Sequence, residues 1–255
     1  MPTVAPARPL LAARLWLGWT LLWAALASLV QVGPNLVALA VWPSARTFWR
    51  WLRVWSRLVL AGAGIRVRAE GAAARGPAVY VANHQSMLDI PVLTIAIGVP
   101  FVFVARAELG RLPIVGAILR HSRCVLVDRQ SPGGAEAALA EAADRLADGE
   151  AVLFFPEGTR SYGADLGAFY PGAFRLAERA GVPVVPVAVD GAWRLVNERE
   201  RTARPGRVRV RIGRPMVTQP GEGAGALAER AHDEVTRLLK VEPAELPRSR
   251  TTAVP

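Results

Sequence analysis

The amino-acid sequence predicts an α/β fold: a mixed sheet flanked by helices, preceded by an N-terminal membrane-embedded helical segment and a basic amphipathic helix. Three observations carry this. Beyond residue 63, short β-branched runs alternate with helix-like segments. Near the N-terminus, apolar residues run from Leu15 to Val30 with only small or weakly polar interruptions. Between the two, arginines recur at helical spacing. The predicted divisions are residues 1–62 as membrane-anchoring helices, 63–240 as one folded domain and 241–255 as a disordered tail. The tail carries three prolines and little apolar content.

The elements follow in chain order. Leu15–Val30 is about 16 residues, short of the roughly 20 that span a hydrocarbon core, but Leu15–Trp42 is long enough. Pro34 should kink it, giving one tilted span or a hairpin dipping into one leaflet. Arg8 and Arg14 with Ala25-Leu26-Ala27 have the outline of a signal peptide, yet apolar character continues past Ala27, which favours an uncleaved segment. From Ser44 to Ala61, Arg46, Arg50, Arg53 and Arg57 share an arc of about 60° on a helix. Phe48, Leu52, Trp55 and Val59 oppose them, a pattern suited to an anionic lipid interface. Seven of the eight tryptophans lie between Trp16 and Trp55, as at a bilayer boundary.

In the domain, strands are predicted at Ile65–Arg68, Ala78–Ala82, Phe101–Val104, Cys124–Val127, Ala151–Phe155, Val184–Val189 and Val208–Ile212. Helices are predicted at Ser86–Ile97, Ile114–Leu119, Gly134–Ala147, Gly172–Ala180 and Ala226–Leu239. Glu198–Arg207, polar and basic, reads as a surface loop. The composition, 52% hydrophobic and 20% charged over 255 residues, excludes a disordered chain. The net charge of +10 rests on arginine, Lys240 being the only lysine, and implies an anionic partner. The arginine stripe opposite a Trp-rich face favours an anionic membrane over nucleic acid. Cys124, the single cysteine, sits in an apolar run and reads as a core thiol.

Two segments carry chemistry. His84 follows an apolar strand in Asn83-His84-Gln85-Ser86-Met87-Leu88-Asp89. With His84 in the strand-to-helix turn and Asp89 in the first helical turn, Asp89 can accept the imidazole Nδ1–H and leave Nε2 to take a proton from a hydroxyl. Ser86-x-x-Asp89 is also a capping-box pattern. The second segment, Phe155-Pro156-Glu157-Gly158-Thr159-Arg160-Ser161, delivers polar groups at the end of another strand. Gly158 allows close backbone approach, Arg160 offers a forked donor to a phosphate, and Glu157 could hold a substrate hydroxyl.

These segments resemble the glycerolipid acyltransferase family, in particular bacterial 1-acyl-sn-glycerol-3-phosphate acyltransferases. The resemblance rests on the His84-x4-Asp89 signature, Val127-Asp128-Arg129, Phe155–Ser161 and Val182-Pro183-Val184-Val185-Pro186-Val187, in that order. It implies His84 and Asp89 as catalytic residues. Arg106, Arg129, Glu157, Gly158, Thr159 and Arg160 would bind substrate. The last of the four motifs would accommodate the acyl chain. It further implies a lysophospholipid acceptor, acyl-CoA or acyl-carrier protein as co-substrate with no other cofactor and no metal, and a bacterial inner membrane with the domain facing the cytoplasm. Arg106 stands where the family often has lysine, and Tyr170-Pro171 where it often has basic residues. The second departure motivates another acceptor, such as a lyso-ornithine lipid. A thioesterase and a non-catalytic membrane-binding protein are the rivals from other classes.

Overall fold

The structure, a computed structural model, describes residues 7–41, 45–111, 119, 123–128 and 130–240. The predicted helix Ile114–Leu119 (Leu119 apart), Arg129 and the tail from Val241 lie outside the described residues.

The chain opens with helix α1 (Ala7–Val41), within which Pro34 lies, and helix α2 (Ala45–Gly62). Of the two readings for residues 15–42, one span or a hairpin, the structure has one helix that runs through Pro34. Leu10–Gln31 within it is long and apolar enough to cross a membrane and is mostly unburied. The hairpin forms instead between α1 and α2, which pack antiparallel. Indole N–H groups of Trp16, Trp19 and Trp23 donate to the carbonyls of Ala63, Gly62 and Leu58 at 3.2, 2.9 and 2.8 Å, and Trp55 donates to Ser28 Oγ at 3.0 Å. A helix leaves its last carbonyls without intrahelical donors. Trp16 and Trp19 supply donors at the end of α2, so these tryptophans join two helices as well as facing outward.

The apolar side of α2 does not face lipid as the sequence suggested. Phe48 packs with Leu119 and Cys124 under the domain, and Leu60 joins the main core, while Arg46, Arg50 and Arg57 stay exposed. The outward apolar surface belongs to α1, where Leu11, Leu15, Leu22, Leu26, Leu29 and Val30 are exposed.

The domain continues as β1 (Ile65–Glu70), β2 (Val79–Ala82), α3 (Asp89–Ile97), β3 (Phe101–Arg106), a 3₁₀ turn (Ala107–Arg111), β4 (Val125–Val127), α4 (Gly134–Ala147) and β5 (Ala151–Phe154). Then come α5 (Gly172–Ala180), β6 (Val184–Asp190), a short α6 (Ala192–Leu195), β7 (Val196–Asn197), β8 (Thr202–Ala203), β9 (Gly206–Ile212) and α7 (Ala224–Lys240). Seven strands form one sheet in the order β1-β9-β6-β2-β5-β3-β4. Strands β6, β2, β5, β3 and β4 are parallel, and β9 pairs antiparallel with β6. All seven predicted strands lie in this sheet.

Both faces of the sheet are covered. Tyr80, Ala82, Leu153, Val185 and Val187 pack on one side with α3, and Val79, Val81, Val152 and Val184 on the other with α4, α5 and α7. Strands covered on both faces read as continuous apolar runs, which is why their sequences show no alternation. Helix α3 begins at Asp89 rather than Ser86, carries Pro91 in its first turn where no N–H is missed, and ends at Gly98 with φ +74°. The predicted loop Glu198–Arg207 is also a correction. Thr202 and Ala203 are buried and pair with β7, and β9 already begins at Gly206. A two-residue strand is too short to leave a periodic signal.

Gly62 tests the α1–α2 junction. A Cβ there would lie 1.9 Å from the Trp23 ring, whereas one at Gly18 would meet nothing within 4 Å. Gly62→Ala should displace Trp23 and lower the thermal unfolding midpoint in detergent. Gly18→Ala, in the exposed interior of α1, should raise stability by up to about 1 kcal/mol.

Candidate active site

The parallel strands β2 and β5 are neighbours, with Val81 level with Phe154, so their carboxyl ends open side by side. Ligands in open α/β sheets bind at such ends. His84 leaves β2 there, and Phe155 to Ser161 leave β5.

The turn after β2 is held by carboxylates. Asp89, fully buried, accepts three donors on Oδ2: His84 Nδ1 at 2.7 Å, Gln85 N–H at 2.6 Å and Ser86 N–H at 3.0 Å. With Nδ1 donating to a carboxylate, the imidazole is fixed as the Nδ1–H tautomer. Nε2 has no hydrogen-bond partner among the described residues, and the side chain is 20% exposed. Only half of the capping box forms. Asp89 reaches back to Ser86 N–H, but Ser86 Oγ donates to Val196 O at 2.7 Å. Asn83 fixes the end of β2 to β6, its amide exchanging two bonds with the Val189 backbone at 2.9 and 2.7 Å.

The segment after β5 grips His84 from the other side. Glu157 Oε1 accepts the His84 N–H at 2.7 Å, Ser161 N–H donates to His84 O at 2.9 Å, and the Phe155 ring stacks on the imidazole with centroids 4.0 Å apart. Glu157 Oε2 accepts Gly167 N–H at 2.8 Å. Glu157 is 6% exposed and both its oxygens are committed to backbone, so it is placed to hold His84 rather than a substrate hydroxyl. Gly158 has φ +70°, a conformation that side chains resist, and its N–H donates to Phe155 O within the turn. That N–H is therefore not available to a reacting oxyanion. Thr159 is exposed beside it.

Arg160, expected to meet a phosphate, is paired: Nη1 donates to Glu198 Oε1 at 2.7 Å, and the guanidinium lies 5.6 Å from the Tyr162 ring centroid. At 36% side-chain exposure it keeps an open edge. Arg106 ends β3, exposed, on the same sheet edge. Phe103 is level with Leu153, so Arg106 stands two strand spacings from His84, about 10 Å across the sheet. Arg129 lies outside the described residues, next to Asp128, whose Oδ1 accepts the N–H groups of Gln130 and Ser131. Val184, Val185 and Val187, from the motif expected to accommodate the acyl chain, are fully buried in the two cores. Among the described residues, no group of three or more His, Cys, Asp or Glu is placed to hold a metal ion.

A histidine–carboxylate pair with Nε2 open at a sheet edge has the geometry that general-base chemistry requires. The acyltransferase family model matches residues 64–190, which contain this site. A 1-acyl-sn-glycerol-3-phosphate acyltransferase of Saccharomyces cerevisiae is 31% identical over 207 residues, covering 79% of this chain and 67% of that one. The lyso-ornithine lipid O-acyltransferase of Pseudomonas aeruginosa is 33% identical over 187 residues, covering 73% and 70%. The chain belongs to the acyltransferase family. A 1-acyl-sn-glycerol-3-phosphate acyltransferase of Chlamydomonas reinhardtii is 37% identical over 180 residues, and this chain spans 52% of its length, about half, as with other curated relatives. The crystal structure of the acyltransferase PlsC from Thermotoga maritima shares the fold, with a TM-score of 0.76 at 24% identity, covering 90% of this chain and 95% of that one.

One residue that braces this candidate site was missed in the sequence. Glu198 comes from the hairpin read as a loop, 111 positions from Met87, whose N–H it accepts at 2.5 Å. No spacing could have signalled it.

Burial pushes the Glu157 carboxyl above its ordinary range, against the opposing pull of the His84 and Gly167 N–H groups. Between the ordinary and the raised value the folded protein binds more protons than the unfolded chain, so this group lowers stability as pH rises through that window. Unfolding midpoints measured from the ordinary carboxylate range upward should fall less steeply in Glu157→Gln than in wild type. The variant's amide also cannot accept both N–H groups, so its stability at neutral pH should drop by about 1–3 kcal/mol.

Proposed function

We propose that this protein transfers a fatty acyl group from acyl-CoA or acyl-carrier protein to the sn-2 hydroxyl of 1-acyl-glycerol-3-phosphate, forming phosphatidic acid. The observation that carries this reading is the His84–Asp89 pair, with Nδ1 on a buried carboxylate and Nε2 open, in a chain of the acyltransferase family. His84 Nε2 removes the hydroxyl proton, and Asp89 stabilises the resulting imidazolium. The alkoxide attacks the thioester carbonyl, and the tetrahedral intermediate collapses with departure of the thiol, which takes its proton from His84. Arg106 and the open edge of Arg160 contact the acceptor phosphate, with Arg129 as a third candidate.

The exposed apolar face of α1 supports a membrane location, which suits a lipid acceptor and a lipid product. The exposed Arg46, Arg50 and Arg57 on α2 support contact with anionic headgroups. We place the protein at a bacterial inner membrane with its domain on the cytoplasmic side.

A second acceptor class has its own support. Tyr170 is 67% exposed and its N–H donates to Pro156 O at 2.9 Å, so an uncharged side chain stands beside the Glu157 turn. The Pseudomonas aeruginosa relative is named for a lyso-ornithine lipid.

Thiol release from an acyl-CoA, followed in detergent with and without lysophosphatidic acid, tests the reading. Release should require the lysolipid, yield phosphatidic acid and fall about 10² to 10⁴-fold in His84→Ala. Lysolipid-independent release would indicate a thioesterase, and turnover only with lyso-ornithine lipid would change the acceptor.

A further inference from the structure

Four successive N–H groups in the turn after β2 are held by three carboxylates. Glu157 takes that of His84, Asp89 takes those of Gln85 and Ser86, and Glu198 takes that of Met87. Two of these acids sit in the segments that suggested the function. Glu198 does not, yet a single oxygen of it bonds both the turn that carries His84 and the Arg160 guanidinium, at 2.5 and 2.7 Å. Its side chain is 19% exposed, and its other oxygen is buried without a hydrogen-bond partner among the described residues. A carboxylate in that setting needs its cation nearby.

The neighbouring residues make this a rigid mount. Asn197, 4% exposed, accepts the N–H groups of Arg199 and Glu200 at 3.1 and 3.0 Å and donates to Tyr162 O at 3.3 Å. Tyr162 holds φ +55°, and the Arg160 guanidinium lies over its ring at cation–π distance. Arg160 is thus bounded by Glu198 and by Tyr162, both fixed through β7, with one edge left open.

We propose that Glu198 is a positioning residue for the acceptor: it sets the place of the Arg160 guanidinium relative to His84 Nε2, so that a phosphate docked on the open edge brings the acceptor hydroxyl to the base. This rests on the reading of Arg160 as a phosphate contact. Glu198 makes no bond to the imidazole or to Asp89, so losing its ion pair with Arg160, while an acceptor for the Met87 N–H is kept, acts chiefly on acceptor binding.

The test is a double-mutant cycle on KM and kcat for lysophosphatidic acid, using the full chain in detergent. Glu198→Gln keeps an oxygen for the Met87 N–H and removes the ion pair. It should raise KM about tenfold with kcat within about twofold of wild type. Arg160→Ala should raise KM at least as much, and the double variant no further than Arg160→Ala alone. A rise in KM that adds fully to that of Arg160→Ala, or a loss confined to kcat, would overturn the inference. If Arg160→Ala raises KM and Glu198→Gln does not, the inference falls while the phosphate reading stands. If Arg160→Ala leaves KM unchanged, both fall. Should Glu198→Gln not fold, Glu198→Asp replaces it, being too short to reach both partners, with the same expected rise in KM.

Discussion

The hydrogen bond from His84 N–H to Glu157 Oε1 is the constraint on which the site depends. It joins residues 73 positions apart and fastens the end of β2 to the end of β5, where no further strand pairing exists to do so. Burying a carboxylate is costly, and N–H donors on both oxygens offset that cost only in part, since burial still raises the Glu157 carboxyl. The consequence is an imidazole whose backbone is pinned on both sides, by Glu157 at the N–H and by Ser161 at the carbonyl. Asp89 then has only the ring left to orient. A general base must sit within hydrogen-bond reach of its proton, and positional error of an ångström is expensive in rate. The clamp limits that error before any substrate arrives.

The same logic explains how an apolar anchor is joined to a soluble-looking domain. Helix α2 is the go-between. Its apolar side, with Phe48 and Leu60, is buried against the domain, and its C-terminal carbonyls are closed by indole donors from α1. Backbone groups near lipid must be satisfied within the protein, and tryptophan can do so while keeping a large apolar body. Helix α1 is left with one long apolar face turned outward.

Much of this was legible in the sequence for a definite reason. Buried parallel strands read as nearly continuous apolar runs, such as Val79-Tyr80-Val81-Ala82 and Ala151-Val152-Leu153-Phe154, so β2, β5 and β6 announce themselves. His84 and Asp89 lie five residues apart, close enough for one turn to bring them together. What could not be read were contacts set by the third dimension. Whether the apolar side of α2 meets lipid or protein depends on what stands opposite, and Phe48 does not encode that. Glu157 and Arg160 were recognisable as site residues, but their partners, a backbone N–H and Glu198, come from distant segments. Glu157, expected to hold a substrate hydroxyl, instead holds backbone N–H groups, and Arg160, expected to offer a fork to a phosphate, is also paired with Glu198.

Asp89 fixes His84 as the Nδ1–H tautomer with Nε2 free to accept a proton. Two-dimensional ¹H–¹⁵N spectra of ring-labelled histidine in detergent report it directly, with His84 assigned by its loss in His84→Ala. At a pH where the imidazole is neutral, Nδ1 should be protonated and Nε2 unprotonated, a pattern that should disappear in Asp89→Asn. A protonated Nε2, or an even mixture of tautomers in the wild type, would contradict it.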